Sequence, residues 1–249
     1  MITRRDAVRL LGSAAATAWL APAFAKDAPH SPQRLALIEE FKKKSEGLDS
    51  KYEARSHKSD FVMPYRLFRP EASGKLPLVV YLHGSGGSGT DNEKQLKLGN
   101  TFGTRVWLLP ENQKKFPCYV LAPQTDRGWV RYEIDPKTHE ATGITPGLGD
   151  GSRVALEIID ALRSELPIDS RRIYIAGQSM GGAGVWNMLA GRSGFFAAAV
   201  ICCSAESALR ISFAFFGSSN ARAAVVFDPT ICASTVMLAA SVRRNVTTS

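Results

Sequence analysis

The sequence predicts one α/β domain built on a mostly parallel, buried sheet, and three observations carry that expectation. Leu76–Leu82 and residues 118–122 and 172–176 are short, continuous apolar runs, which suits strands covered on both faces. Helical periodicity lies between them: Val154, Ala155, Ile158, Ile159 and Leu162 fall on one stripe, and Pro167 closes the segment. The resulting order of strand, helix, strand, tight turn and helix requires crossover connections. At 249 residues the chain suits one such domain.

Taken in order, residues 1–25 read as an export leader. Arg4, Arg5 and Arg9 precede a largely apolar run from Leu10 to Leu20, and Ala23-Phe24-Ala25 gives a small-x-small end, with cleavage after Ala25. The paired arginines give the leader a twin-arginine character, which predicts a periplasmic or extracellular destination. The apolar stretch is shorter than the roughly 20 residues of a bilayer span, so no stable membrane insertion is expected after its removal. Residues 26–50 form a linker and a helix over 34–46, with Leu35, Leu37, Ile38 and Phe41 on one stripe. Residues 51–203 form the core. It opens with an antiparallel pair over 52–56 and 61–68, where apolar and polar residues partly alternate. A helix through Val185, Met188 and Leu189 follows the turn after residue 176. Residues 204–249 differ in composition, being rich in Ser, Ala, Val and Arg without Lys, His or Trp, and read as a truncated or out-of-frame ending of the sheet.

Bulk properties remove several function classes. A hydrophobic fraction of 45% and a charged fraction of 22% exclude disordered, collagen-like and coiled-coil chains. The formal charge of +8 falls to about +6 once the leader's three arginines and one aspartate are gone. The remaining Lys and Arg are scattered, without the aromatic-interleaved basic motifs of RNA binders, so no nucleic-acid partner is expected. Cys118, Cys202, Cys203 and Cys232 show no C-x-x-C spacing, which argues against zinc. Export permits disulfides, but Cys118 and Cys202 lie in strand-like runs where a small buried thiol is the commoner arrangement.

The chemistry concentrates at two glycine-rich segments. Gly177-Gln178-Ser179-Met180-Gly181 sits between the strand Ile173-Tyr174-Ile175 and a helix, the context in which a sharp turn exposes a serine at the sheet's carboxyl edge. Ser179 is the candidate nucleophile, since a serine hydroxyl needs both fixed geometry and a base. His83-Gly84-Ser85-Gly86-Gly87-Ser88-Gly89 follows the strand Leu76–Leu82, and its glycines allow backbone amides to face a developing oxyanion. Gly84 and Ser85 are the candidate donors there, with Met180 supplying the other. A phosphate-binding loop is the competing reading, and the continuation Thr90-Asp91-Asn92-Glu93 lacks the required Gly-Lys-Ser/Thr.

With Asp91-Asn92, Pro123-Gln124, Trp129 and Gly177-Gln178-Ser179-Met180-Gly181-Gly182, the chain resembles secreted carboxylesterases of the α/β-hydrolase superfamily. The resemblance runs from about Tyr52 to Val200. It extends to polyhydroxybutyrate-depolymerase-like, feruloyl-esterase-like and predicted-peptidase proteins, and more distantly to dienelactone hydrolases. It implies an α/β-hydrolase fold, ester hydrolysis through an acyl-enzyme, a small or polymeric ester as substrate, and no metal or organic cofactor. Gln178 and Trp129 are its candidate substrate-pocket residues.

The family places an acid and then a histidine after the nucleophile. Here His30, His57, His83 and His139 all precede Ser179. His83 reads as a brace of its own turn, His139 as a surface-loop residue, His57 as following a strand and His30 as part of the linker. A strand over Ala223–Phe227 would place Asp228 where a triad carboxylate is expected, with Glu206 as the other acid after Ser179. Two functions therefore stand: an active serine esterase, or a hydrolase-fold protein impaired by the missing base. A basic nucleic-acid- or surface-binding protein is the third, weaker alternative.

Overall fold

The computed structural model describes residues 32–97, 100–202, 223–227 and 235–240, the last two as backbone strands. The leader, His30, Cys203, Glu206, Asp228 and Cys232 lie outside the described residues.

An eight-stranded sheet forms the centre. Its strands are β1 (Glu53–Lys58), β2 (Val62–Phe68), β3 (Leu76–Leu82), β4 (Tyr119–Pro123), β7 (Ile168–Gln178), β8 (Ala198–Cys202), β9 (Ala223–Phe227) and β10 (Thr235–Ala240). Their order is β1-β2-β4-β3-β7-β8-β10-β9. A separate two-stranded ribbon pairs β5 (Tyr132–Ile134) with β6 (Ala141–Ile144). In the large sheet β4, β3, β7 and β8 are mutually parallel, whereas β2 and β10 run against their neighbours. The chain thus has the mostly parallel sheet with crossover helices that its sequence predicts.

The predicted antiparallel pair is β1 and β2, in register from Glu53↔Leu67 to Lys58↔Val62. β3 is apolar along its length because Val80 and Leu82 enter one core and Val79 the other. The helices are α1 (Pro32–Lys44), α2 (Thr101–Arg105), α3 (Pro110–Lys115), α4 (Asp150–Glu165) and α5 (Met180–Gly191). The apolar stripe of α4 packs Val154, Ile158, Ile159 and Leu162 onto one sheet face, beside Ala183, Val185 and Met188 of α5. Leu48, Tyr52, Leu96, Leu108 and Cys118 cover Val79, Val120 and Ala122 on the other.

Three details differ from the sequence reading. The stripe expected on α1 joins the core through Phe41, while Leu35 and Leu37 are exposed. His139, read as a surface-loop residue, lies at φ 57° in the exposed turn of a β5–β6 ribbon that the sequence reading did not include. β9 forms where a strand was predicted, but it is the sheet edge, separated from β8 by the antiparallel β10.

Candidate active site

Ser179 stands between the end of β7 and the start of α5, exposed, with φ 52° and ψ −117°. A non-glycine residue at positive φ is strained and persists only where the surroundings enforce it. Enforcement here is steric and hydrogen-bonded. A Cβ on Gly177 would lie 2.3 Å from the carbonyl oxygen of Gly181, and one on Gly181 would lie 2.0 Å from that of Leu82. The Ser179 amide donates to the Cys202 carbonyl at the end of β8 (2.5 Å), and the Ala183 amide to the Ser179 carbonyl (3.2 Å). As the first residue of α5, Met180 has an amide without an intrahelical acceptor.

The loop after β3 lies against this turn. A Cβ on Gly84 would sit 3.6 Å from Ser179 Cβ and 3.2 Å from the Gln178 carbonyl oxygen. The Gly84 amide, expected as an oxyanion donor, is taken up by Asn100 Oδ1 at 2.8 Å. The Gly84 carbonyl accepts from the Gly87 amide (2.9 Å) and faces His83 Nδ1 at 2.8 Å. In a trans peptide the next N–H points opposite to the carbonyl, so the Ser85 amide is turned away from His83, on the exposed side of the loop.

His83 is fully buried, and both of its ring nitrogens are engaged. Nε2 accepts the Thr125 amide at 3.1 Å, which leaves the proton on Nδ1 for the Gly84 carbonyl. It is the brace predicted from the sequence. Burial pulls its pKa down to about 4, partly offset by the Gly84 carbonyl, which favours the protonated ring. An unfolded histidine titrates near 6.5, so the unfolded chain binds more protons between the two values, and stability falls as pH drops through that window. His83 is expected to contribute about 3 kcal/mol to the loss in urea-unfolding free energy between pH 7 and pH 4. A flat profile across that window would show that His83 titrates normally.

Trp129 corrects another expectation. It is a fully buried core residue rather than part of a substrate pocket, its Nε1 donating to the His83 carbonyl at 2.9 Å. Gln178, the other pocket candidate, is half-buried and accepts from the Tyr81 hydroxyl at 3.3 Å. The remaining motif residues tie the loop together. Gln124 Nε2 donates to the Gly87 carbonyl (3.1 Å) and Asp91 Oδ1 (3.1 Å), while its Oε1 accepts the Asn92 amide (2.5 Å). Asn92, at φ 59°, reaches the Arg55 and Tyr65 carbonyls through Nδ2. The amides of Lys94 and Glu93 and the Gln124 side chain hold the Asp91 carboxyl far below its ordinary pKa, so it stays ionised.

Among the described residues, the Ser179 hydroxyl has no hydrogen-bond partner, and no histidine is placed as its base. His57 lies on β1, four strand spacings or about 19 Å across the sheet from β7. Its Nε2 is 3.5 Å from Glu157. A groove of about 540 Å³ between Val79, Tyr174, Val200, Trp107 and Phe116 does not include Ser179 in its lining. Cys118 borders that groove as a buried thiol whose pKa burial raises to about 11.

No family model matches the chain, and no curated protein matches it. Among solved structures, a thermostable esterase is 36% identical with a TM-score of 0.53, covering 61% of this chain and 40% of its own. An acetyl xylan esterase from Aspergillus awamori is 18% identical, covering 59% of this chain and 50% of its own with a TM-score of 0.42. An S-formylglutathione hydrolase from Staphylococcus aureus is 17% identical, covering 66% of each chain with a TM-score of 0.39. The chain therefore spans less than two thirds of each of these proteins.

Proposed function

The chain has the α/β-hydrolase fold of serine esterases and hydrolases, and from that premise we propose that it cleaves carboxylic esters through an acyl-enzyme on Ser179. The observation that carries this reading is the exposed Ser179 at φ 52°, packed against a loop that turns the Ser85 amide outward. Attack by Ser179 Oγ on the ester carbonyl forms the Oγ–C bond and moves charge onto the carbonyl oxygen. The amides of Ser85 and Met180 are the donors for that charge, with no metal or organic cofactor in the scheme. Collapse of the tetrahedral species expels the alcohol and leaves the acyl group on Ser179, to be removed by water.

The proton of Ser179 needs an acceptor, and Asp228 is the carboxylate proposed to support one. His83 cannot serve while Nε2 holds the Thr125 amide and Nδ1 the Gly84 carbonyl. That engagement, and the lack of a hydrogen-bond partner for the Ser179 hydroxyl among the described residues, favour a second reading: a hydrolase-fold protein impaired by the missing base, which keeps a binding pocket or is a non-functional truncated product.

A fluorophosphonate probe tests the reactivity of Ser179. The purified chain is expected to gain one covalent adduct at Ser179, and Ser179→Ala none. A folded chain that stays unlabelled would sink the esterase reading and favour the impaired one. Turnover of a short-chain chromogenic ester separates them: multiple turnovers mark an esterase, and a burst of one equivalent marks the impaired form.

A further inference from the structure

Two successive peptides of the loop are held, Gly84–Ser85 through the Gly84 carbonyl and His83–Gly84 through the Gly84 amide, and the holder of the second belongs to no motif in the sequence. Asn100 is 2% exposed and precedes α2. Its Oδ1 accepts the Gly84 amide at 2.8 Å, opposite in the chain to the carbonyl grip of His83 and Gly87. We propose that Asn100 is a positioning residue of the reaction, fixing the His83–Gly84 peptide and, through Gly84, the next plane from which the Ser85 amide meets the oxyanion formed at Ser179. The assignment rests on the reading of Ser179 as the acylated nucleophile.

Asn100 is itself immobilised. Its amide donates to the Lys97 carbonyl (3.1 Å), and its carbonyl accepts the buried Thr104 hydroxyl (3.1 Å). The loop wraps closely around its side chain, since a Cβ on Gly87 would come within 2.8 Å of Asn100 Nδ2. Glycine at position 87 is therefore what lets the loop close on the asparagine. Gly84 is a residue whose own backbone has wide torsional freedom, so its orientation has to be imposed by contacts. Without Asn100 Oδ1 the buried Gly84 amide has no acceptor, and the peptide must rotate or admit water to satisfy it. Either response moves the Ser85 donor, and displacements near 1 Å can cost about 100-fold in rate. Asn100 acts through Gly84 and Ser85, so its loss should reach the chemical step more than the binding of substrate.

The test compares Asn100→Leu, which removes the acceptor, with Asn100→Asp, which retains an acceptor oxygen at the same reach. Asn100→Ser, too short to reach the Gly84 amide, replaces the leucine variant if that one does not fold. In fluorophosphonate labelling, the limiting first-order rate at saturating probe is expected to fall about 10- to 100-fold in the loss variant. The half-saturating probe concentration is expected to stay within about twofold, because donor misplacement leaves ground-state binding in place. Amide hydrogen exchange of residues 84–88 in the unliganded protein should quicken about tenfold in the loss variant, and return to the wild-type rate in Asn100→Asp. A loss variant with wild-type labelling and wild-type exchange overturns the proposal. So does exchange that quickens equally throughout the molecule, which would mark a general stabilising role. Failure of the wild-type chain to label would overturn the Ser179 reading and the reaction role of Asn100 together. Labelling of the wild type with an unaffected loss variant overturns the Asn100 assignment alone.

Discussion

Gly181→Ala is expected to destabilise the chain by about 3 kcal/mol or more and to slow labelling of Ser179 by about 100-fold. The added methyl would sit 2.0 Å from the Leu82 carbonyl oxygen, 2.6 Å from its carbon and 2.8 Å from the His83 carbonyl oxygen. All three are backbone atoms at the end of β3, inside a sheet bonded on both sides, so no side-chain rotation relieves the contact. The helix has to lift from the strand. Ser179 leads directly into that helix, whereas the oxyanion loop leads out of the strand, so lifting widens the gap between nucleophile and donors. A shift of this size corresponds to a melting temperature about 6–12 °C lower for a chain of this length. Thermal unfolding within about 2 °C of wild type would show that the helix accommodates the methyl.

Trp129→Ala should cost about 3–5 kcal/mol in urea unfolding, the range for truncating a fully buried large aromatic side chain. The indole fills the space beside Gly184, where a Cβ would approach Trp129 Cβ to 2.5 Å, and packs 5.0 Å from the His83 ring. Its removal leaves a cavity and also strips the His83 carbonyl of its Nε1 donor. Trp129→Phe separates the two contributions. It keeps most of the apolar volume and loses the hydrogen bond, for an expected cost of about 1–3 kcal/mol. Equal losses in the two variants would mean that cavity volume contributes little, contrary to the close packing around the ring.

Much of the sheet could be read from the chain because its strands are buried on both faces. Leu76–Leu82 and Tyr119–Pro123 are apolar without interruption for that reason, and α4 shows its stripe because its outer side is wet. The turn at Ser179 was legible because two close backbone approaches demand glycine at positions 177 and 181. The family resemblance makes Trp129 a pocket residue, and its polar neighbours Asp126, Arg127 and Arg131 give no sign of its burial. Its burial depends on Gly151 and Gly184, far along the chain, leaving room for the ring. Asn100 carried no signal at all. A lone asparagine ahead of a short helix reads as a cap, and its bond to Gly84 arises from the loop folding back over sixteen residues of sequence. Likewise, nothing in a run of apolar residues at Thr235–Ala240 announces that β10 enters the sheet against the direction of β8.

The β5–β6 ribbon divides the molecule's constraints unevenly. Its base is fastened by the Thr145 amide to the Arg131 carbonyl, by the Gly149 amide to Asn187 Oδ1 and by Asn187 Nδ2 to the Gly147 carbonyl. Tyr132 and Ile134 above these anchors are about half exposed, at 46% and 52%. Ile144, beside the fastening, packs against the core, whereas Ile134 and the turn around His139 face solvent. Laboratory libraries can therefore vary that exposed turn at little expected cost to the sheet, whereas substitutions in the buried knot of His83, Asn100, Gln124 and Trp129 are expected to be costly.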